Sequence, residues 1–389
     1  MIKRAYTQIF NEKLENFPIL AILGPRQCGK TTFVQLVAKK YSYFDLEKPS
    51  HLTPFQTDPE NRLEHLGTQI ILDEAQRLPE LFPILRGLVD ESRNLKGQYI
   101  LLGSASPTLI KNISESLAGR VTFIEMSPFS LLEVFKKEKD FNDLWVYGGF
   151  PDVWLMKSEN LKWEWREGYV QTFIERDLNA LGITVDSNRM RILWGMLAHV
   201  NGGLWNASQI ASSMAVSQTT VNRYIDILEQ TYLIKRLMPY FKNIGKRYVK
   251  SPKVYFRDTG LLHYFLNIKN INQLDVSPYK GGSFETFVIQ QVDQLLKIKY
   301  PGSNMYYWRS SGGAEVDLIL EVNGKTIPIE IKLTTSPTKS QTSGLKSFMH
   351  DMQLERGYVL FPGTESYSLT EGIYTLPLVD LVQHPEEYF

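Results

Sequence analysis

Three short apolar runs in the amino-terminal part of the chain are each followed by small or acidic residues. They cover residues 17–23, 69–72 and 98–102. Continuous apolar runs of this length predict strands buried on both faces, as in a parallel sheet. Residues 41–47 predict a further strand, and apolar positions at helical spacing predict a helix over 32–38. The pattern therefore predicts an α/β core.

Helical spacing dominates the middle of the chain. Residues 160–200 predict helices rich in Trp and Leu. Asn206 and Ser217 then stand where helix N-caps are preferred, each ahead of apolar positions at helical spacing. Two short helices with so tight a turn predict a helix-turn-helix, and strands after it would complete a winged helix.

Strict alternation of apolar and polar residues returns on both sides of Asn323-Gly324. Asn-Gly in this setting is a strong signal for a β-hairpin, and a two-residue turn places Val322 opposite Lys325. In that register one face of the hairpin is wholly aliphatic, which makes the register self-consistent. The aliphatic pairs are Val316 with Ile331, Leu318 with Ile329, and Leu320 with Ile327.

The other face of this hairpin is charged. The same register places Asp317 opposite Glu330, and Glu315 opposite Lys332. Two like charges directly opposite each other destabilise a sheet. We therefore expect a proton, Lys332 or a divalent metal ion to offset the pair of acids.

Composition and charge limit the class of protein more than its function. The chain has 389 residues, of which 43% are hydrophobic, and a net charge of +1 from 43 basic and 42 acidic residues. This predicts two or three globular domains and leaves any nucleic-acid surface to local charge. A single cysteine excludes an internal disulfide framework and fits a reducing cytoplasm. No apolar run reaches the length of a membrane span, so no membrane partner is expected.

Residues 24–31 match the phosphate-binding pattern G-x-x-x-x-G-K-[ST] at every fixed position. Such a loop, between a buried strand and a helix, cradles phosphates with backbone N–H groups, and its lysine reaches the β- and γ-phosphates. We expect ATP with Mg²⁺ here, the ion held by Thr31. Cys28 is interpreted as a small loop residue rather than a reactive thiol, although Lys30 lies close by. The predicted nucleotide-binding residues are Gly24, Pro25, Arg26, Gln27, Cys28, Gly29, Lys30, Thr31 and Thr32.

Acidic and small polar residues end the later strands. Asp73 and Glu74 follow an apolar strand at the distance expected after such a loop, so Asp73 would hold Mg²⁺ through water and Glu74 would orient or deprotonate the attacking water. Ser104 is a candidate γ-phosphate sensor or a simple strand end. Arg120 would stabilise charge on the leaving phosphate, within its own chain or across a subunit boundary, or be an ordinary surface residue.

Several of these motifs together resemble the prokaryotic AAA-type ATPases that carry an uncharacterised C-terminal domain. The resemblance implies a strand-rich P-loop core followed by a helical portion, and no particular substrate. In residues 175–177, which form one of these motifs, an Arg176–Asp177 ion pair is favoured over an active-site role. The motifs are the phosphate loop, Asp73-Glu74, Gly103-Ser104, Ser116 to Arg120, and residues 127–130, 148–151 and 175–177.

Local charge is concentrated in residues 235–257, which contain eight basic residues and no acidic one. Strands joined by a turn at residues 245–247 would form a basic wing that contacts DNA phosphates. Recognition-helix residues would then meet base edges, although winged helices also serve as packing modules. The candidate base-reading residues are Gln218, Thr219, Asn222 and Arg223.

The charged hairpin face resembles the core of PD-(D/E)xK nucleases. Asp317 is followed by Glu330-Ile331-Lys332, and Glu285 on the preceding predicted helix is similar to that fold's helical acid. The resemblance implies that Asp317, Glu330 and Glu285 hold Mg²⁺ and that Lys332 orients the water or stabilises charge. An active nuclease, an inactive nuclease-like fold and an unrelated salt-bridged hairpin all remain open.

Together these patterns predict an α/β chain with three parts. The first, residues 1–155, is a P-loop NTPase core with a parallel sheet. The second, residues 156–268, is helical with a winged helix, and the third, residues 269–389, is a restriction-endonuclease-like α/β domain. The function expected is ATP binding and hydrolysis coupled to acting on or sensing DNA. The alternative is a nucleotide-switched regulatory protein with an inactive nuclease-like domain, and a homo-oligomer is left open in either case.

Overall fold

Two β-sheets organise the chain. The computed structural model describes residues 2–104, 107–178, 183–241 and 250–389. Within them, a five-stranded sheet precedes a largely helical stretch, and an eight-stranded sheet follows it. The mixed α/β class expected from the sequence is confirmed.

The first sheet is parallel, with strand order β2-β3-β4-β1-β5. Apolar clusters cover both of its faces, which is why its strands are continuous apolar runs in the sequence. The carboxyl ends of β1, β3 and β4 lie at one edge, so the residues following them meet there. The strands are β1 (Ile19–Gly24), β2 (Ser42–Asp45), β3 (Ile70–Asp73), β4 (Tyr99–Ser104) and β5 (Val121–Glu125).

Short helices surround this sheet. The one that leaves the phosphate loop begins at Lys30, directly after Gly29 in the left-handed conformation. The helices are α1 (Thr7–Asn16), α2 (Lys30–Val37), α3 (Pro49–Thr57), α4 (Pro59–Leu66), α5 (Leu81–Glu91) and α6 (Pro107–Ser116).

The middle of the chain is helical, as the sequence predicts. Asn206 accepts a hydrogen bond from the N–H of Gln209, and Ser217 accepts one from Thr220, which confirms the two predicted helix starts. A π-helical turn, Phe173–Asp177, extends α10. The helices are α7 (Leu131–Val134), α8 (Glu138–Tyr147), α9 (Pro151–Leu155), α10 (Glu159–Thr172), α11 (Ser187–His199), α12 (Ala207–Met214) and α13 (Gln218–Gln230).

The second sheet has the order β12-β13-β11-β10-β9-β8-β6-β7. Its hairpin pairs Val322 with Lys325 and continues to Leu318 with Ile329, which confirms the predicted register over that span. The strands are β6 (Ile234–Pro239), β7 (Lys253–Phe256), β8 (Asn304–Arg309), β9 (Glu315–Val322), β10 (Lys325–Ile331), β11 (Gly357–Phe361), β12 (Ser368–Thr370) and β13 (Ile373–Pro377). Its helices are α14 (Thr259–Phe265), α15 (Ile271–Asp275), α16 (Lys280–Lys299), α17 (Ser343–Met352) and α18 (Leu378–Gln383).

The two strands expected to form a wing belong to this second sheet. β6 pairs with β7 in antiparallel fashion and with β8 in parallel fashion, at Met238 with Tyr306. One sheet therefore continues across the boundary predicted at residue 268. The predicted turn of the wing, residues 245–247, lies outside the described residues, as do Lys242 and the rest of 242–249.

Partly buried ion pairs tie the two sheets together. Glu125, at the end of β5, bonds to Arg257 after β7 and to Lys297 on α16. Asp293, one turn before Lys297, is bonded to Lys297, Arg257 and Lys235. Burial alone would raise the pKa of Asp293, but these three cations hold it well below its ordinary range.

Candidate functional site

The phosphate loop is shaped by its glycines. A Cβ on Gly24 would lie 2.1 Å from the carbonyl oxygen of Met126, and Gly29 has a φ of +95°. The ammonium group of Lys30 lies against the loop and donates to the carbonyl oxygens of Gly24 and Pro25, at 3.0 and 2.9 Å. The loop therefore curls tightly around a buried lysine, as the sequence pattern predicts for a phosphate site.

Arg4 supports the loop from beneath. Its buried guanidinium donates to the carbonyl oxygen of Cys28 at 2.8 Å and pairs with Glu133 at 2.6 Å. The thiol of Cys28 is itself buried, in keeping with its interpretation as a packed loop residue. Nothing in the local pattern around Arg4 indicated this role, because both of its partners are distant in sequence.

Asp73 lies across the sheet from the loop and faces it. The hydroxyl of Thr31 donates to Asp73 Oδ2 at 2.6 Å, and the hydroxyl of Tyr43 donates to the same oxygen at 2.8 Å. A threonine hydroxyl beside a carboxylate is an all-oxygen set of ligands, which is the chemistry that Mg²⁺ requires. The donor set formed by Thr31 and Asp73 therefore fits the expected ion.

Glu74 adopts a backbone conformation that is unusual for its residue type. Its φ is 55° and its ψ is 45°, in the left-handed region, which costs a residue with a Cβ about 1 kcal/mol or more. Its carboxylate accepts a hydrogen bond from the side chain of Gln76. Burial raises the pKa of Glu74, although Lys30 acts in the opposite direction. This strained backbone conformation places the Glu74 carboxylate, with its raised pKa, at the edge of the site.

Glu74 and most of the phosphate loop line one cleft of about 380 Å³. Its walls come from the phosphate loop, from the ends of β2 and β3, and from the first turn of α9. The lining residues are Arg26, Gln27, Gly29, Lys30, Thr31, Thr32, Glu47, Glu74, Pro151 and Asp152. The structure therefore brings most of the predicted nucleotide-binding residues to one place.

Arg26 connects the loop to residues far away in sequence. It donates to Ser104 Oγ at 3.3 Å, to Asp177 at 2.5 Å and to Glu47 at 3.4 Å. Ser104 therefore lies beside the loop at the end of β4, and its role as a γ-phosphate sensor stays a prediction. Asp177 is bonded to Arg26, so the predicted pair between Arg176 and Asp177 is wrong.

Arg120 lies elsewhere on the first sheet. Its carbonyl oxygen accepts from the N–H of Ile19 at the start of β1, whereas the phosphate loop follows the end of β1. Its guanidinium is bonded twice to Asp90, at 2.8 and 2.7 Å. Arg120 is thus at the opposite end of the strands from the cleft. The predicted action of Arg120 on the nucleotide of its own chain is therefore wrong, whereas its action on the nucleotide of a neighbouring subunit stays a prediction.

The predicted carboxylates of the second sheet also meet. Lys332 Nζ lies 2.6 Å from Glu330 Oε1 and 3.8 Å from Asp317 Oδ2. Of the three expected means of offsetting this pair of acids, a proton, Lys332 or a divalent metal ion, the structure shows Lys332 beside both carboxylates. Burial, and next the charge of Asp317, raise the pKa of Glu330 to about 7, although Lys332 opposes both.

A residue that the sequence did not single out for this cluster lies inside it. Lys253 Nζ is 2.5 Å from Glu315, 3.3 Å from Glu285 and 3.9 Å from Asp317. Glu315 is therefore paired with Lys253 and Arg309, and its predicted pairing with Lys332 is wrong. Among the described residues, no group of three or more His, Cys, Asp and Glu side chains is arranged to hold a metal ion. The cluster does not fit Mg²⁺ while Lys253 is in it.

The predicted DNA-binding surface carries less unpaired positive charge than residues 235–257 indicate in the sequence. Lys235, Arg236, Lys253 and Arg257 are each paired with carboxylates. Lys250 is exposed. The candidate base-reading residues are exposed on α13, where Asn222 accepts from Trp205 and Arg223 donates to the carbonyl oxygen of Thr184. Half of the predicted basic stretch therefore stabilises the fold.

Three successive parts of the chain each match a known domain family. Residues 16–135 match the AAA domain family. Residues 138–272 and 280–381 match two domains of unknown function, DUF8612 and DUF4143.

Relatives that match nearly the full chain are themselves uncharacterized. The uncharacterized protein Rv2008c of Mycobacterium tuberculosis is 41% identical over 366 residues, covering 94% of this chain and 81% of the relative. The uncharacterized protein MJ1544 of Methanocaldococcus jannaschii is 23% identical over 372 residues, covering 87% and 80%. Among solved structures, the Walker-type ATPase PABY2304 of Pyrococcus abyssi is similar, with 16% identity and a TM-score of 0.49, over 68% of this chain and 96% of that one.

Across the described ranges, no helix has the length and apolar character needed to cross a bilayer.

Proposed function

The chain belongs to the family of the uncharacterized protein Rv2008c and carries an AAA domain, and from this premise we propose that it binds ATP with Mg²⁺ at the phosphate loop and hydrolyses it. The observation that carries the proposal is the contact between Thr31 on the loop and Asp73 on β3, at 2.6 Å. This contact joins the two halves of a nucleotide site across the sheet.

The polar groups of the loop and of the end of β3 have defined tasks in this proposal. Backbone N–H groups of the loop and the ammonium of Lys30 bind the phosphates. Thr31 and Asp73 would hold Mg²⁺, which supplies charge neutralisation when bound. Glu74 orients the attacking water and accepts its proton, a task that its raised pKa favours.

The test is Lys30→Ala, with Lys39→Ala as the matched control, because Lys39 is exposed just beyond α2. Binding of a fluorescent ATP analogue and phosphate release are measured for both variants and the parent. Lys30→Ala is expected to lose γ-phosphate binding and turnover, whereas Lys39→Ala keeps both. Undiminished hydrolysis by Lys30→Ala would overturn the assignment of the loop.

We further propose that ATP turnover is coupled to DNA, which the middle part would contact through α13 and residues 242–250. Exposure of the polar residues on α13 supports this interpretation. If chains assemble, Arg120 would act on the nucleotide of a neighbouring subunit.

The nuclease-like interpretation of the last part is tested with DNA and Mg²⁺ or Mn²⁺, comparing the parent with Lys332→Ala and Asp317→Asn. Cleavage by the parent alone would support a nuclease, and no cleavage by the parent would remove it.

One observation favours the second candidate, a nucleotide-switched protein whose last domain does not cut. The carboxylates that would hold the catalytic ions are paired with Lys253 and Lys332. An ammonium group cannot activate water as a metal ion does. In this candidate the last domain binds a partner, and ATP controls that binding.

A further inference from the structure

Four carboxylates converge where α16, β9 and β10 meet. They belong to Glu285, Glu315, Asp317 and Glu330. Three of them lie within 3.9 Å of the ammonium nitrogen of Lys253. So many negative charges in a partly buried place are unfavourable unless a cation neutralises them.

Lys253 is held firmly in this position. Its side chain is only 5% exposed, and all residues of β7 are buried. Two positions along the same strand, the hydroxyl of Tyr255 donates to Glu285 at 2.5 Å. Two positions further, Arg257 is bonded to Glu125 of the first sheet. The contacts of Tyr255 and Arg257 hold β7 in place, and β7 in turn holds the Lys253 ammonium among the acids.

The cluster nevertheless keeps one unused ligand atom. In the part of the chain that the structure describes, Glu330 Oε2 is buried and accepts no hydrogen bond. A buried carboxylate oxygen without a donor is costly, and a cation beside it would remove that cost. Lys332 occupies only the other oxygen, Oε1.

We propose that Lys253 is the resident cation of this cluster and takes the place of a divalent cation, which Glu285, Asp317 and Glu330 would hold only once the lysine is removed. A divalent ion needs carboxylate oxygens at about 2.0–2.6 Å. The Lys253 ammonium lies within 3.9 Å of two of the three proposed ligands, Glu285 and Asp317, so an ion on those oxygens would lie beside it. The lysine and the ion exclude each other because both positive charges would share the same acids. The domain as folded therefore holds no divalent ion here, and removal of the lysine opens the site. The inference is independent of ATP hydrolysis.

The test counts Mn²⁺ ions bound by the full chain without nucleotide, from the decrease of the free Mn²⁺ signal in electron paramagnetic resonance. Lys253→Met is compared with the parent and with Lys325→Met, a control lysine that donates to the carbonyl oxygen of Phe389. Lys253→Met is expected to bind one more ion per chain than either. Adding Asp317→Asn to Lys253→Met is expected to abolish that gain.

Removal of a buried cation alone can prevent folding, so a charge-balanced variant accompanies it. Lys253→Met with Glu315→Gln removes one positive and one negative charge together, and leaves the three proposed ligands in place. Circular dichroism and thermal unfolding establish that the variant is folded. The inference is overturned if the folded charge-balanced variant gains no ion. It is equally overturned if the parent already binds an ion that Asp317→Asn removes.

Discussion

The guanidinium of Arg26 in the phosphate loop donates to the carboxylate of Asp177, 151 residues later in the chain, at 2.5 Å. Asp177 ends the π-helical turn of the middle part, and such turns recur at functional sites. The same guanidinium contacts Ser104 at the end of β4. One side chain of the loop therefore joins the cleft at the phosphate loop to the helices that follow the first sheet.

This contact predicts an effect of Asp177→Asn on nucleotide preference. Arg26 bonded to Asp177 is withheld from a γ-phosphate, so weakening that bond should favour ATP over ADP. A hydrogen bond between charged groups contributes about 1.5–3 kcal/mol, so we expect ATP to bind about tenfold more tightly while ADP changes little. Titration with an ATP analogue and with ADP measures the ratio.

Arg26→Ala added to Asp177→Asn provides the complementary variant, and it should lose the gain in ATP affinity that Asp177→Asn alone produces, without affecting ADP. Lys48→Ala, which removes an exposed lysine after β2, serves as the control. Equal affinities of the parent and Asp177→Asn for both nucleotides would show that Arg26 does not sense the γ-phosphate.

Glu74→Gln should separate binding from hydrolysis. The amide keeps the shape of the side chain but cannot accept a proton from water, and a general base contributes about 10²–10⁴-fold to a rate. We expect turnover to fall by about that factor, while ATP affinity stays within a few-fold of the parent. Phosphate release and nucleotide titration measure the two quantities. Glu60→Gln, on the exposed side of α4, is the control, and parental turnover in Glu74→Gln would remove the assigned role.

Local patterns predicted those parts of the structure that depend on neighbouring residues. The phosphate loop follows from a contiguous pattern, and the hairpin register follows from the alternation around Asn323-Gly324. The partners of Arg26 and Lys253 did not follow, because they depend on how distant elements pack. The sequence shows residues 235–257 as a run of positive charge, yet Arg257 is paired with Glu125, 132 residues earlier. A run of charged residues in the sequence thus shows where charges lie along the chain, whereas the fold determines which of them are paired with opposite charges.

The remaining part of that basic run predicts a salt-dependent interaction with DNA. Neutralising Lys246, Arg247 and Lys250 together should weaken binding and flatten its dependence on salt, by about 0.9 in the logarithmic slope for each phosphate that is no longer neutralised. Fluorescence anisotropy with a labelled duplex at several salt concentrations measures both. Neutralising the exposed Lys39, Lys339 and Lys346 instead gives a control with the same net charge. Unchanged affinity at low salt in the first variant would mean that these residues do not bind DNA.

His263 predicts how the stability of the fold depends on pH. The imidazole is fully buried, and its Nδ1 lies 2.8 Å from the carbonyl oxygen of Val146. Since a carbonyl oxygen only accepts, Nδ1 carries the hydrogen, and Nε2 accepts from the hydroxyl of Ser283 at 2.6 Å. The oxygen of Ser283 in turn accepts from the indole N–H of Trp145. The hydrogen bonds are therefore complete only for the neutral ring.

Burial lowers the pKa of His263 to about 4, from an ordinary value of 6.5. As the pH falls below 6.5, the unfolded chain takes up a proton that the folded chain refuses. This histidine should therefore lower the free energy of unfolding by about 1.4 kcal/mol per pH unit until the pH reaches about 4, and have no effect above 6.5. His263→Gln should be less stable at neutral pH and lack this part of the slope. His199→Gln, which alters an exposed ring, should retain it. Thermal and urea unfolding between pH 4 and 8 measure the slopes. Equal slopes in the parent and His263→Gln would contradict the assignment, because all other titrating groups are the same in both chains.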